Sequence, residues 1–306
     1  MNYRLEQITY PSKDGKNTVY AEIYVPKDVE PRGIVQLAHG MVDHVGRYHA
    51  LADFLTASGY IFAGNNHLGH AKTAKPEDYG FFAKKGGCDL VIADLHTMNK
   101  YLRGTYPDLP LTLLGHSMGS FITRLYVEKH PHSVNRVIIM GTAGPNSLLP
   151  LGLALARVIK TFKGERHHSR TVNKLVFGSY NSRFDSSEGK NAWVSRNTDS
   201  VSDRDTSEYT KFSFTVSGYI DLFEMTRKCN KREWFKEYPR ELPTLVISGK
   251  MDPVGNYGDG PSYVYKQLLI AGADVELKLY EGARHELFSE DNREEIFVDI
   301  LRWLDK

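Results

Sequence analysis

The sequence predicts an α/β fold: a mostly parallel central sheet flanked by helices, with a mainly helical segment inserted before its last strands. Three observations predict it. Short apolar runs of strand length alternate with amphipathic stretches of helix length from Gly33 to Met140, the rhythm of parallel strands joined by crossover helices. That rhythm stops after Gly144-Pro145 and resumes only at Leu242. The 306 residues suit one large α/β domain with an insertion better than two independent domains.

The elements follow in order. Tyr3–Tyr10 and Thr18–Val25 alternate as strands and are joined through Lys13-Asp14-Gly15-Lys16, which carries hairpin turn chemistry. Pro26 and Pro31 punctuate the chain before Gly33–Ala38, a continuous apolar run expected of a strand buried on both faces. Arg47–Ser58 has helical period, with Gly59 at the C-terminal cap position, and Tyr60–Gly64 is the next strand. Val91, Ile92, Leu95, Met98 and Leu102 share one face of a helix over Asp89–Arg103. A strand at Leu111–Leu114, a helix at Ser117–Lys129 and a strand at Val134–Met140 complete the first half. After the break come a strand at Leu242–Ile247, a helix near Ser262–Ala271, a strand at Val275–Tyr280 and a final helix, Arg293–Leu304. Residues 1–144 and 241–306 are thus the expected core. Residues 145–240 are the expected cap over the C-terminal edge of the sheet, where open α/β sheets bind ligands.

Composition narrows the class. Apolar residues at 41% and charged residues at 25% are ordinary for a folded soluble chain, and exclude disordered or collagen-like classes. A formal charge of +2 argues against nucleic acid as the main partner. The N-terminus has no apolar core of signal-peptide length. The greasiest stretch, Leu148–Ile159, is interrupted by Arg157 and too short to span a bilayer. Two cysteines, Cys88 and Cys229, make no disulfide framework. A cytoplasmic location is expected, with a peripheral visit to a membrane left open.

The chemistry is concentrated in Gly115-His116-Ser117-Met118-Gly119, a G-x-S-x-G placed between a buried strand and an amphipathic helix. A chain that reverses so sharply at the serine strains its backbone, and side chains two positions before and after it would collide. The turn lifts the hydroxyl clear of the sheet and points the first amides of the helix at a substrate oxygen. His116, beside the serine, diverges from it and is read as a packing residue.

A serine nucleophile needs a histidine to take its proton and a carboxylate to hold that histidine, in the chain order serine, acid, histidine. Downstream of Ser117 stand only His167, His168 and His285. The first two lie in the charged insertion. His285 follows the last strand, where a loop can carry it over the sheet edge. Among the acids, Asp252 stands just past a buried strand, in a turn stiffened by Gly249 and Pro253. Asp259 and Asp274 are farther from any strand end, and Glu281 is too close to His285 in sequence. The expected catalytic set is therefore Ser117, Asp252 and His285. The amides of Met41 and Met118 are the expected oxyanion donors, since His39-Gly40-Met41 ends the first parallel strand and Gly40 admits close approach. Gly40, His39 and Leu151 are the expected substrate contacts.

These residues carry a resemblance. His39-Gly40-Met41-Val42-Asp43-His44-Val45-Gly46-Arg47-Tyr48 resembles the H-G-x-x-E-H-x-x-R-Y segment of monoacylglycerol lipases and bacterial lysophospholipases, which are α/β-hydrolases, with Asp43 where glutamate is usual. The Gly-His-Ser-Met-Gly elbow, the Asp252 turn and the His285 loop fall where that family has its triad. Phe212-Ser213-Phe214-Thr215 is similar to the lysophospholipase-like branch. The match covers nearly the whole chain, most specifically residues 33–145 and 242–290. It implies hydrolysis of carboxylic esters of small-molecule or lipid type, without metal or organic cofactor. Asn66-His67-Leu68-Gly69-His70-Ala71-Lys72-Thr73 departs from the related D-x-x-G-H-G-x-S stretch at Asn66 and Ala71, which bears on the loop and not on the chemistry. His67 and His70 have no carboxylate cluster beside them and read as loop histidines rather than metal ligands.

The insertion decides the substrate and says least about itself. Pro150–Phe162 is amphipathic, equally suited to lining an acyl tunnel, touching a membrane or micelle, or packing on the core. Lys160, Lys163, Arg166, Arg170 and Lys174 stand against Glu165 alone, a solvated basic face or a contact for anionic headgroups. Its aromatics suit a pocket or the insertion's own core. Two other readings stay open: a proline-type aminopeptidase or amidase, which needs a carboxylate pair to grip a free amine, and a non-catalytic binding protein on the same scaffold. Haloalkane or epoxide chemistry is disfavoured, because it uses an aspartate where Ser117 stands.

Overall fold

The computed structural model describes residues 2–306. The N-terminal alternation forms a hairpin of β1 (Tyr3–Pro11) and β2 (Thr18–Pro26), antiparallel and in register from Tyr3 opposite Pro26 to Pro11 opposite Thr18. Asp14 closes the turn by accepting the amides of Lys16 and Asn17, at 2.8 and 2.9 Å. Strand and helix then alternate as β3 (Gly33–Ala38), α1 (His49–Ala57), β4 (Tyr60–Asn65), α2 (Gly87–Thr105), β5 (Leu111–His116), α3 (Met118–Lys129) and β6 (Arg136–Met140). Five helices follow without a strand: α4 (Leu149–Lys163), α5 (Arg170–Phe177), α6 (Thr198–Thr206), α7 (Val216–Cys229) and α8 (Arg232–Glu237). The chain ends with β7 (Thr244–Gly249), α9 (Asp259–Ile270), β8 (Val275–Tyr280) and α10 (Arg293–Leu304).

The strand order is β1-β2-β4-β3-β5-β6-β7-β8. The first two pairings are antiparallel and the rest parallel. Alternate residues along each inner strand serve opposite layers. Ile34 and Ala38 of β3 pack toward α2 and α3, whereas Val35 and Leu37 pack toward α1 and α10. Val137 and Ile139 of β6 divide from Ile138 and Met140 in the same way. From β3 the chain winds outward through β4, then returns to lay β5 on the other side. The strand order therefore reverses between β3 and β5, and a crevice opens beyond their C-terminal ends.

Boundaries differ where side chains intervene. The helix expected from Arg47 begins as a 3-10 turn, Val45–Tyr48, and becomes α-helical at His49. Arg47 and Tyr48 fold back onto Asp43, and no side chain caps α1. α2 starts two residues early because Asp221, from α7, accepts the Cys88 amide at 3.2 Å. In the strandless segment Ser169, Asn197 and Thr215 each cap a helix, accepting from Val172, Ser200 and Gly218. α7 is its anchor, packed on α4, α3 and α2. Arg124 of α3 is fully buried and braces both ends of the segment. It donates to Thr142 and Ala143 where the chain leaves β6, and to the Cys229 carbonyl and Asn230 where α7 ends. Its guanidinium stacks 4.5 Å over Trp234, and among the described residues no carboxylate pairs with it. Cys88 and Cys229 are buried and unpaired.

Candidate active site

Four strand ends bring the site together. Ser117 follows β5, at φ +55° and ψ −119°, a left-handed strain rarely tolerated outside glycine. The flanking glycines have no alternative. A Cβ at Gly119 would lie 1.8 Å from the Ala38 carbonyl oxygen, and one at Gly115 would lie 2.3 Å from that of Gly119. β3 and the start of α3 are pressed backbone to backbone, and this contact sets the Ser117 hydroxyl beside Gly40, whose own Cβ would sit 3.3 Å from that of Ser117.

Asp252 follows β7 and His285 follows β8. Gly249 lets the Ala283–Arg284 backbone cross behind them, since a Cβ there would meet the Ala283 carbonyl at 2.1 Å. His285 Nδ1 lies 3.0 Å from Asp252 Oδ2, and its Nε2 lies 2.9 Å from Ser117 Oγ. A carboxylate only accepts, so Nδ1 carries the proton and Nε2 presents its lone pair to the serine hydroxyl. Asp252 is fully buried. Its Oδ1 accepts the Val254 amide at 2.9 Å and its Oδ2 faces Ser248 Oγ at 3.3 Å. The arrangement can deprotonate Ser117 and stabilise the imidazolium that results.

The Met41 and Met118 amides follow β3 and Ser117, and both residues line the cavity above the serine. Neither amide donates a hydrogen bond within the described chain. The cavity measures about 790 Å³. Its apolar lining comes from Phe121 and from Leu149, Val176, Phe177, Leu222 and Phe223 of the strandless segment, and its polar lining includes Asn256, Asp259 and Arg204.

Two expected substrate contacts are corrected. His39 is fully buried and lies outside the cavity. Its Nδ1 donates to the Gly40 carbonyl at 2.9 Å and its Nε2 accepts the His67 amide at 3.0 Å, so it supports the loop from behind. Leu151 is 68% exposed and does not line the cavity. α4 packs on α7 through the face that carries Gly152, Leu153 and Ala156, which turns Leu151 outward. Gly40 does line the cavity. His116, expected only to pack, is buried and also polar: its Nδ1 is 2.8 Å from the Tyr48 hydroxyl, which donates to Asp43 at 2.7 Å.

An ion-pair network went unread in the sequence. Arg47 grips Glu286 with both terminal nitrogens, at 3.1 and 2.6 Å, and reaches Asp43 at 3.0 Å. Arg204 of α6 approaches Glu286 at 3.3 Å. Burial would push the Glu286 carboxyl up, but Arg47 and then Arg204 bring it down to about 2. Burial likewise opposes Asp43, and Arg47 holds its carboxyl well below the usual range. The network joins the loop after β3, the residue after His285 and the inserted segment. Arg47 four positions after Asp43 was the one signal for it in sequence. Among the described residues no group of three or more His, Cys, Asp or Glu side chains is placed to hold a metal.

Known proteins bear on this geometry. The family model for serine aminopeptidases, S33, matches residues 29–292. The chain belongs to that family. The proteins it resembles along its length are named lipases and esterases. A monoacylglycerol lipase of Mycolicibacterium smegmatis is 26% identical over 293 residues, covering 95% of this S33 chain and 93% of the relative. The human monoglyceride lipase is 25% identical over 286 residues, 90% of this chain and 82% of that one. Among solved structures, a thermostable carboxyl esterase from Bacillus coagulans superposes with a TM-score of 0.92 at 30% identity, over 98% of both chains. The S33 chain has the α/β-hydrolase fold, and its resemblance to monoacylglycerol lipases extends along its length.

Proposed function

We propose that this S33 protein is a serine hydrolase of carboxylic esters, acting on lipid-like substrates of monoacylglycerol or lysophospholipid type. The observation that carries the reading is the Ser117–His285–Asp252 hydrogen-bond chain opening into a largely apolar cavity. At about 790 Å³ the cavity sits toward the large end of the roughly 300–1,000 Å³ usual for small-ligand sites. The lipase and esterase names of the relatives agree with ester chemistry.

In this mechanism Ser117 Oγ attacks the ester carbonyl carbon as its proton passes to His285 Nε2. The carbonyl oxygen gains charge and is held by the Met41 and Met118 amides. The tetrahedral intermediate collapses, His285 protonates the departing alcohol, and an acyl-serine remains. Water, deprotonated by His285, then releases the carboxylic acid and restores Ser117. Residues 145–240 act as a cap supplying the acyl-binding wall. On α4, Leu151, Val158 and Phe162 are 55–81% exposed beside Lys160 and Lys163. That face suits a lipid aggregate holding the substrate, and no described helix is long and apolar enough to cross a membrane.

The S33 name also belongs to aminopeptidases, and the cavity speaks against that use here. A free amine would need an unengaged carboxylate pair. Of the carboxylates lining the cavity, Asp43 and Glu286 are both taken by Arg47, leaving Asp259, which accepts from Asn256. Ser117→Ala should abolish turnover of a long-chain monoacylglycerol with the fold intact. Turnover of prolyl amides faster than of that ester by the wild-type protein would reverse the assignment. Absence of a fluorophosphonate adduct on Ser117 would favour a binding protein instead.

A further inference from the structure

A second set of buried imidazoles lies behind the site: His39, His67 and His70, all at most 1% exposed. The His39 ring is 4.1 Å from that of His67 and 5.1 Å from that of His70, centre to centre. Their tautomers follow from what each nitrogen faces. His70 Nδ1 is 2.9 Å from the Leu68 carbonyl, which only accepts, so this nitrogen carries the proton. Its Nε2 is then a bare lone pair, and it accepts the Val42 amide at 3.2 Å. Burial lowers His70 to about 3 and His39 to about 4, so both rings stay neutral through the physiological range. Asp43, His44 and the two other imidazoles are the titratable groups that act on His70, and none of them bonds to its ring.

The position of these bonds gives them meaning. Val42 stands at φ +54°, a conformation that β-branched residues rarely adopt unless held. Its amide belongs to the peptide that follows Met41. The Gly40 carbonyl gripped by His39 belongs to the peptide that precedes Met41, the same rigid plane that carries the Met41 N–H. The backbone is thus held on both sides of one amide. Phe82 surrounds the His70 ring together with Phe212 and Phe214 of the inserted segment, at 5.4–5.7 Å between centres.

We propose that His70 is a positioning residue of the oxyanion loop: by accepting the Val42 amide it keeps Val42 left-handed and the Met41 N–H aimed at the reacting carbonyl oxygen. His39 holds the other side. The inference rests on the reading of Ser117 and the Met41 amide given above. It differs from a packing role in one measurable respect, because an aimed donor acts on the oxyanion and not on the resting substrate.

The test uses two probes. A dodecyl trifluoromethyl ketone accepts Ser117 Oγ at its carbonyl carbon, the hydroxyl proton passes to His285 Nε2, and the former carbonyl oxygen becomes the oxyanion. A dodecyl glycerol ether cannot react and reports ground-state binding. His70→Phe keeps a ring among its aromatic neighbours and removes the acceptor. It should weaken the ketone about tenfold or more and lower kcat in parallel, with ether affinity within about twofold. His70→Gln, which retains an acceptor oxygen, should recover most of the loss. Phe82→Leu, which loosens the cluster without touching either hydrogen bond, should lower Tm and leave the ketone-to-ether ratio unchanged. Equal changes in ketone and ether affinity for His70→Phe, or the same shifted ratio in Phe82→Leu, would overturn the proposal. If His70→Phe does not fold, His39→Phe carries the same comparison, and an unchanged ratio there overturns it as well. A wild-type protein that forms no ketone adduct on Ser117 would bring down the catalytic reading and this inference together. A wild-type adduct with an unaltered ratio in His70→Phe brings down this inference alone.

Discussion

The loops at the strand ends and the helical segment between β6 and β7 are built by different means. The loops are set by backbone contact: Gly115, Gly119 and Gly249 each lie where a Cβ would strike a carbonyl oxygen at 1.8–2.3 Å. The segment has such a contact at Gly218, where a Cβ would meet the Gly80 carbonyl oxygen at 2.2 Å, and adds side-chain ion pairs to it. Arg204 meets Glu286, Arg196 meets Glu290 at 2.6 Å, and Arg284 meets Glu188 at 2.7 Å. The Glu286 amide also donates to the Val194 carbonyl at 2.8 Å, so the segment is fastened to the loop that carries His285. Backbone contact fixes an angle and admits no variation, whereas ion pairs fix only a neighbourhood. In the proposed function the chemistry rests on the first kind of contact, and the ion pairs help to hold the wall that would choose the substrate.

The largest effect should come from the rigid region. Asp252→Asn would leave His285 with the wrong tautomer, and kcat on a soluble ester should fall by about four orders of magnitude with little change in Tm. A loss below tenfold would mean that Asp252 does not orient the imidazole. Next comes the seam between the regions. Glu286→Gln leaves Arg47 and Arg204 buried without their shared partner, and should cost about 3–5 kcal/mol in chemical denaturation. A cost below 1 kcal/mol would show that the network is idle.

Acid should act through the imidazoles behind the site. His39 and His70 titrate far lower folded than their ordinary 6.5, at about 4 and about 3, so the unfolded chain takes up protons first. Their contribution is whole above pH 6.5 and is lost as pH falls through 6.5 toward 4 and 3, roughly 2 kcal/mol for each by pH 5. Glu286, depressed from 4.5 to about 2, loses its share only below pH 4.5. Asp221, raised by burial to about 6, works the other way and gains as pH falls through 6. Thermal melts should show a net fall from pH 7 to 5, and His70→Phe should flatten it. The smallest effect belongs to the outer face of α4. Leu151→Ser should leave stability within about 0.5 kcal/mol and short soluble esters unaffected, while slowing turnover of micellar substrate. Equal rates on both substrates would remove α4 from any role at a lipid surface.

The same contrast explains what could be read from the sequence. Ser117, Asp252 and His285 can be placed together from the sequence because each stands within five residues of a strand end, and the ends of parallel strands converge at one edge. Ser169, Asn197 and Thr215 cap helices of the insertion, yet no periodicity says which face of α4 meets α7. Leu151 was therefore placed inside when Leu149 and Gly152 line the cavity. His39 was expected to touch substrate because it adjoins Gly40. Consecutive side chains in an extended segment point opposite ways, and His39 points back toward the His67 amide. The Arg47–Glu286 pair spans 239 positions and could not be read from local pattern at all.

The contact of Gly119 with Ala38 also bears on how this protein can be diversified. At positions 115, 119 and 249 any side chain would strike backbone, so every library member that changes one of them must displace the elbow or the loop behind it. Leu151, Val158 and Phe162 lie outside the cavity and constrain almost nothing beneath them, being more than half exposed. New acyl preferences are better sought at Leu149, Val176 and Phe223, where a changed volume reshapes the chamber while the glycine seam beneath the serine is left as it stands.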